Sequence, residues 1–465
     1  MIELVAQAIE RLSQSTAGAD DVLAIAVAAP YVPPTRLVAA CSGELSVSFW
    51  HGSPRTGETP LALVGFGEAT RIDGHGPERI AQAADGTRRV FETLREERTR
   101  EASKAPGPFF LGGLSFRPNA EREPWSAFAD ASFSLPRWLY VCRGTEAWLW
   151  LCVRAERIEL DRRVVLGELE TLEAAMKGAE QLRQRARASD VPSVVARLDV
   201  ADRDAFCALV ADAIACIHTR ATDKIVAVAS SRVTFDEPID AAVVLQRLDE
   251  AYPDTTRFAI QRGERVFVGA SPERLVARHG RHVDSDALAG TARRGADDAT
   301  IVRALLSSSK DRREHALVVE SIAAVLAARC SSLDVPEEPR IRTLRNVHHL
   351  WTPMRGVLRN GTHVLSLVEA LHPTPAVAGT PRDRATAWIA EHEPTSRGWY
   401  TGAVGYFDAA GDGEFAVAIR AGLVGKRDAF LYAGAGIVEA SDPPAEYAET
   451  RAKEAPMLAA LGIVP

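Results

Sequence analysis

The chain has 465 residues, with 62 Asp and Glu against 55 Lys and Arg, a formal net charge of −7, and it is 46% hydrophobic and 25% charged. Those proportions are ordinary for a globular protein with room for about two to four domains or one large composite fold. The acidic balance leaves no basic face to neutralise phosphates, which argues against a nucleic-acid binder.

The N-terminal segment MIELVAQAIERLSQ carries Glu3 and Glu10 inside its apolar pattern, which predicts an amphipathic helix and not a signal peptide. DVLAIAVAAP and RLVAACSGELSVSFW have strand-like apolar runs, and LALVGFGEATRI places Gly65 and Gly67 in a tight strand. HGPERIAQAADGTRRVFETLREERTREASK predicts one long amphipathic helix with a solvated, charged tail. PGPFFLGGLSF returns to strand, with Gly112 and Gly113 as bulge or close-packing glycines. RWLYVCRGTEAWLWLCVRAERI predicts a hairpin turning at residues 143–145, residues 166–190 a charge-laced helix, and ASDVPS near 188–193 a linker.

The second half opens with a predicted helix over 201–219, followed by a strand ATDKIVAVASSRVTF entered through Asp223 and Lys224. Strand signals continue at RFAIQRGERVFVGAS and RLVARHGRHVDSDALAG, then amphipathic helices at 301–306, 310–329 and 364–371. Strands GAVGYFDAAGDGEFAVAIRAGLV and AFLYAGAGIV precede a final helix over 443–461. Strands do not alternate regularly with helices, so the prediction is an α+β fold of large antiparallel sheets flanked by helices, not a doubly wound parallel sheet. No run of about 18 apolar residues predicts a membrane span. The six cysteines, at 41, 142, 152, 207, 216 and 330, form no Cys-x-x-Cys pair, so free thiols in a reducing cytoplasm are expected.

The last helix is the richest in chemistry. Ser441 or Asp442 can cap it, and Pro443 sits where a first-turn proline is tolerated. Glu446, Glu449 and Lys453 follow at i, i+3 and i+7, within roughly a 60° arc of one face. Alone, that face reads as solvated, with Glu449 and Lys453 an ordinary i,i+4 pair. The strand end LYAGAGIV before it keeps its backbone bare for close approach. Gly434 and Gly436 lack the third glycine and the βαβ setting of a dinucleotide fingerprint. In KDRREHALVVESI, Glu314 complements a helix dipole, and His315 is as well explained by core packing as by ligation. Two glutamates from separate helices also suit Mg²⁺, a hard cation bound through carboxylates, water and anionic substrate. Lys224 and Glu273 stand at strand ends, where they are either exposed and idle or buried in one pocket. In the second case desolvation drives the amine toward neutral and the carboxyl toward protonated, a base and an acid at neutral pH.

Eight ordered stretches carry a wider resemblance: GASPERLV, ALAGTARRG, SSSKDRREH, NVHHLWT, LHPTPAVAG, RGWYTGAVGYFDAAGDGEFAVAIR, LYAGAGIVEASDP and EYAETRAK. From about residue 205 to 462 the chain resembles the chorismate-utilising enzymes, the family of anthranilate synthase component I, and most closely the isochorismate synthases. FFLGGLSFRP and GFGEA extend the likeness, more thinly, to the N-terminal half of the menaquinone-pathway members. The resemblance implies one large unit of two stacked antiparallel sheets covered by helices, with the pocket between them. Residues 1–195 would complete the fold and residues 200–465 would form the chorismate-binding catalytic region. Lys224 matches the family's general base and Glu273 its general acid. Glu314 and Glu449 match the Mg²⁺ ligands, with Glu446 on the same metal through water. Arg420 and Tyr400 match side chains holding the enolpyruvyl carboxylate. Lys453, and the backbone around Gly290, Thr291 and Gly434, match positions around the ring and its carboxylates, and His349 an orienting histidine. The implied reaction adds water at C2 of chorismate and expels the C4 hydroxyl, with neutral Lys224 taking the proton and Glu273 supplying one. It needs no redox cofactor.

LHPTPAVAG discriminates within the family. Members that eliminate or aminate show Phe-Pro and then a threonine where this chain has Ala376, and the small Ala376–Val377 pair resembles the isochorismate synthase form. Lys224 points the same way, because the ammonia-using relatives need no water-activating lysine. Thr401 replaces a commoner alanine, and Ala378 stands where glycine, serine or cysteine is usual. The expectation is a Mg²⁺-dependent isochorismate synthase of menaquinone biosynthesis, cytoplasmic, with chorismate as its small-molecule partner and no nucleic-acid or membrane partner. No apolar stripe marks an interface, so a monomer fits and the oligomeric state is not readable. The alternatives are a salicylate synthase, a siderophore-pathway isochorismate synthase and, from another class, a non-catalytic chorismate- or metal-binding regulatory protein. The presence of base, acid and both metal ligands speaks against the last.

Overall fold

The computed structural model describes residues 2–13, 21–41, 45–55, 59–119, 122–181 and 197–463. Their strands form one sheet of 13 strands and one of 10. One pairing among the described residues is parallel, Val22–Ala28 with Leu94–Arg98; the rest are antiparallel, as the predicted α+β class requires. The larger sheet is buried on both faces. In Val22–Ala28, Val22, Ala24 and Ala26 point to one apolar core and Leu23, Ile25 and Val27 to another, which is why the run is continuously hydrophobic. The outer core packs Val5, Leu37, Leu169, Leu245 and Met457 from five helices against that sheet. The inner core joins the two sheets, with Trp50 and Trp150 from the larger sheet among Phe110, Phe133 and Phe415 from the smaller. Trp50 meets Tyr406 edge-on across this interface, with ring centroids 5.5 Å apart. Helices Arg79–Glu92, Ser309–Ala327 and Val364–Leu371 pack on the smaller sheet.

The chain passes between the sheets as paired strands. Arg265–Ser271 belongs to the larger sheet and Arg274–His279 to the smaller, so Pro272 and Glu273 make the crossing. Its antiparallel neighbour crosses beside it, with Gly413–Val417 in the smaller sheet, Ala421–Val424 in the larger and residues 418–420 between. Val417 N–H donates to the Glu273 carbonyl and Ala270 N–H to the Arg420 carbonyl, both at 3.1 Å, so the two crossings are clamped to each other. Strands from the first and second halves also interleave: Val47–His51 pairs with Thr256–Arg262 in one sheet, and Phe110–Leu114 with Ala403–Phe407 in the other.

Two sequence expectations change. RLVAAC belongs to a helix, Pro34–Cys41, whose buried Pro34, Leu37, Val38 and Cys41 repeat at three and four residues, a period that a short apolar run conceals. The charged tail predicted as helix beyond residue 93 is instead the edge strand Leu94–Arg98, whose exposed Arg and Glu side chains protect the sheet edge. Helices Ala241–Ala251 and Arg382–His392 and the long strand Val347–Leu358 were not legible from periodicity. The linker at 188–193 lies outside the described residues. No helix among the described residues is long and apolar enough to cross a membrane.

Candidate active site

A cleft of about 610 Å³, counting its open mouth, lies at the crease where the paired strands cross. Glu273 and Arg420 enter it from the two crossings. Gly290 and Thr291 come from strand His282–Arg293, His349 from Val347–Leu358 and Gly434 from Asp428–Ile437. Ala376, Val377 and Tyr400 come from connecting segments, Glu314 from helix Ser309–Ala327, and Glu449 and Lys453 from helix Pro443–Ala460. Of the residues expected from the sequence, Lys224 and Glu446 do not line this wall; each sits behind it, bonded to a charged partner. His315 is a core residue, its Nε2 2.8 Å from Thr352 Oγ1.

Lys224 is wholly buried at the start of strand Lys224–Thr234, and its Nζ donates to Glu314 Oε1 at 2.9 Å. A neighbouring glycine makes room for this pair. A Cβ at Gly436 would come within 2.5 Å of Glu314 Oε1 and 2.9 Å of Lys224 Cε. Gly436→Ala is therefore expected to part the two side chains and lower the unfolding free energy by about 1–3 kcal/mol. Urea denaturation reads this directly, and an unchanged midpoint would show that the pair does not rest on this bare backbone.

Glu273 is 3% exposed. Burial pushes its carboxyl up to about 8, and the buried Asp286 carboxylate adds to the rise, against the opposing pull of Lys224 and Arg420. Asp286 itself is pinned ionised by Arg55, which contacts both its oxygens, and by the Trp351 indole N–H. Glu273 thus carries a proton at neutral pH, and its Oε1 is buried without a hydrogen-bond partner. His349 is driven well below its ordinary value by burial and by the Arg420 and Lys453 charges, so it is neutral. Its Nδ1 lies 2.9 Å from Thr291 Oγ1, while Nε2 is buried and unpartnered. Two orphaned polar atoms in one cleft wall are costly unless a polar ligand meets them. Tyr400, pushed up to about 12 by burial, stacks on Tyr432 at 5.2 Å.

Three carboxylates gather on the opposite side, each held by a lysine. Lys453 Nζ is 2.5 Å from Glu449 Oε1 and donates to the Gly434 carbonyl at 2.9 Å. Lys310 Nζ donates to Glu446 Oε1 at 2.9 Å. Burial alone would raise the Glu449 carboxyl, but Lys453, Lys310 and Arg420 outweigh it and hold it low. Burial and the Glu449 charge raise Glu446. Among the described residues no three acidic, histidine or cysteine side chains already converge on one point. The donor set is nonetheless oxygen-only and anionic, and ammonium groups stand where a hard cation would neutralise it.

Sequence reasoning missed the Arg397–Glu393 pair. Arg397, ion-paired with Glu393, donates to the carbonyls of Val377 (2.8 Å) and Val226 (2.7 Å), fixing two cleft-lining segments to each other. Pro394 lies between Glu393 and Arg397, and residues 393–397 are not helical, so their four-residue spacing gave no sequence signal. Thr401 and Arg420 adopt φ of 62° and 52°, a left-handed backbone that is uncommon outside glycine. Both line the cleft, where such strain is characteristically stored.

Residues 7–462 match the family described as chorismate binding enzyme. The isochorismate synthase MenF of Bacillus subtilis is 36% identical over 421 residues, covering 87% of this chain and 86% of that protein. The salicylate biosynthesis isochorismate synthase of Pseudomonas aeruginosa is 36% identical over 413 residues, covering 87% and 83%. The solved structure of MenF, the menaquinone-specific isochorismate synthase of Escherichia coli, superposes with a TM-score of 0.75 at 26% identity, covering 98% of this chain and 99% of that one.

Proposed function

Because this chain belongs to the chorismate-binding enzyme family, we propose that it converts chorismate to isochorismate by adding water at C2 and expelling the C4 hydroxyl. The observation that carries this is Glu273, buried with an unpartnered oxygen in a cleft that Glu314 and Glu449 also line, with Lys224 hydrogen-bonded to Glu314 behind the wall. Glu273 donates its proton to the departing C4 hydroxyl as the ring double bonds shift, and Lys224, acting as the free amine with one N–H still bonded to Glu314, takes the proton of the attacking water. Each proton transfer contributes about 10²–10⁴-fold. Arg420 and Tyr400 hold the enolpyruvyl carboxylate, Lys453 and the Gly290, Thr291 and Gly434 backbone frame the ring, and His349 offers its free nitrogen to orient it. Ala376 and Val377 close the wall with small apolar groups. Mg²⁺, held by Glu314 and Glu449 with Glu446 beside them, would neutralise the ring carboxylate. Residues 200–465 supply this chemistry and residues 1–195 complete the sheets that shape it.

We place the activity in menaquinone biosynthesis, in line with the MenF proteins of Bacillus subtilis and Escherichia coli, whose matches reach into the N-terminal half. The similar reach of the Pseudomonas enzyme favours a second placement, isochorismate made for salicylate, with the same chemistry in this protein. Incubation with chorismate and Mg²⁺, followed by chromatography, is expected to give isochorismate without pyruvate, and EDTA is expected to stop it. Salicylate with pyruvate would make the protein a salicylate synthase, and no conversion would make it a binding protein. Full activity in EDTA would remove the metal from the scheme.

A further inference from the structure

Resting on the proposal that Glu314, Glu446 and Glu449 form the divalent-cation site, we infer that the Lys310 ammonium is that site's resident counter-ion, the group a divalent ion displaces on entry. Lys310 lies in the first turn of helix Ser309–Ala327, two residues after the Ser308 cap. A positive charge has the wrong sign for a helix N-terminus, so local helix stability does not explain it. What does is the cluster opposite. Its Nζ donates to Glu446 at 2.9 Å and lies within the electrostatic reach of Glu314 and Glu449 as well. Its contact is with Glu446, while Glu314 and Glu449 are bonded to Lys224 and Lys453.

The three lysines at the cluster differ in freedom. The Lys224 side chain is wholly buried, and that of Lys453 is 15% exposed and anchored to the Gly434 carbonyl. The Lys310 side chain is 39% exposed, yet its tip reaches Glu446, which is 2% exposed. It spans from solvent to the buried acid on a flexible four-carbon stem. Without a divalent ion, Glu446 and Glu449 repel each other and Lys310 offsets that repulsion. With one, the divalent charge beside Glu446 would compensate that carboxylate, and the singly charged, mobile cation leaves. The exchange keeps the cluster compensated in both states, so the fold does not depend on metal, and it weakens metal affinity below what the acids alone would give.

The test uses the full chain stripped of metal with EDTA and dialysed, then titrated with Mg²⁺ by calorimetry and followed by thermal unfolding. Lys310→Met is expected to bind Mg²⁺ about tenfold more tightly than the parent protein. Its metal-free unfolding midpoint should lie below the parent's, with the gap closing at saturating Mg²⁺. Lys310→Arg, which keeps the charge, should restore both values toward the parent. Equal or weaker Mg²⁺ affinity in a folded Lys310→Met protein, with binding still abolished by Glu449→Gln, overturns the counter-ion role alone. Binding that Glu449→Gln leaves intact places the ion elsewhere and overturns both this inference and the metal site beneath it.

Discussion

Glu273→Gln is expected to cut chorismate turnover by about 10²–10⁴-fold while the protein stays folded, since glutamine matches the shape and cannot give up a proton. The parent's rate should decline as pH rises through about 8, where the raised carboxyl ionises, and the variant's residual rate should not follow that decline. Stability carries the same signature. Between the ordinary carboxyl value of 4.5 and about 8, the folded protein holds a proton that the unfolded chain has released. Parent stability attributable to this group therefore falls with rising pH across that window. The variant should accordingly gain on the parent in thermal unfolding at pH 8 and above, and lose the advantage near pH 5. A near-normal rate, or a stability difference that does not vary with pH, would remove Glu273 as the acid.

Lys224→Ala should cost a similar factor in turnover, because it removes the amine hydrogen-bonded to Glu314 behind the cleft wall. It also leaves the Glu314 carboxylate without its close partner, at a stability cost of about 1–3 kcal/mol. The truncation opens a space the length of an aminopropyl group. Millimolar ethylamine or propylamine should enter it and recover part of the rate, with dependence on the free-base form of the amine. Rates near the parent's, or a loss that no amine restores in a protein shown to be folded, would count against Lys224 as the base.

Much of the fold was legible because its strands obey simple patterns. Residues 146–154 alternate Trp148, Trp150 and Cys152 into one core with Leu149, Leu151 and Val153 into the other, and a doubly buried strand announces itself as an unbroken apolar run. The charged edge strand Leu94–Arg98 failed that test because one helical turn of Arg and Glu looks the same as a guarded sheet edge. The candidate site was legible mainly through its resemblance to known enzymes. Locally, Glu273 is one carboxylate after a Ser-Pro and Lys224 one charge before a strand; only the crossing between sheets buries the first and only Gly436 makes room for the second. Lys310 was passed over for the same reason, since a lysine early in a charged helix ordinarily points to solvent and nothing nearby in sequence names Glu446 as its partner.

The interleaving of the halves has a consequence for biogenesis. As the polypeptide leaves the ribosome, Val47–His51 has one neighbour, Leu61–Phe66, already made, while the other, Thr256–Arg262, is some two hundred residues from being translated. Phe110–Leu114 waits longer still, until Ala403–Phe407 emerges. Two hydrophobic ladders thus stand half-satisfied through most of translation, the circumstance in which nascent chains pair wrongly or recruit chaperones. Such distant partners also make for slow closure. The acid at the crease is therefore assembled only after Gly413–Val417, whose Val417 N–H bonds the Glu273 carbonyl, has been translated.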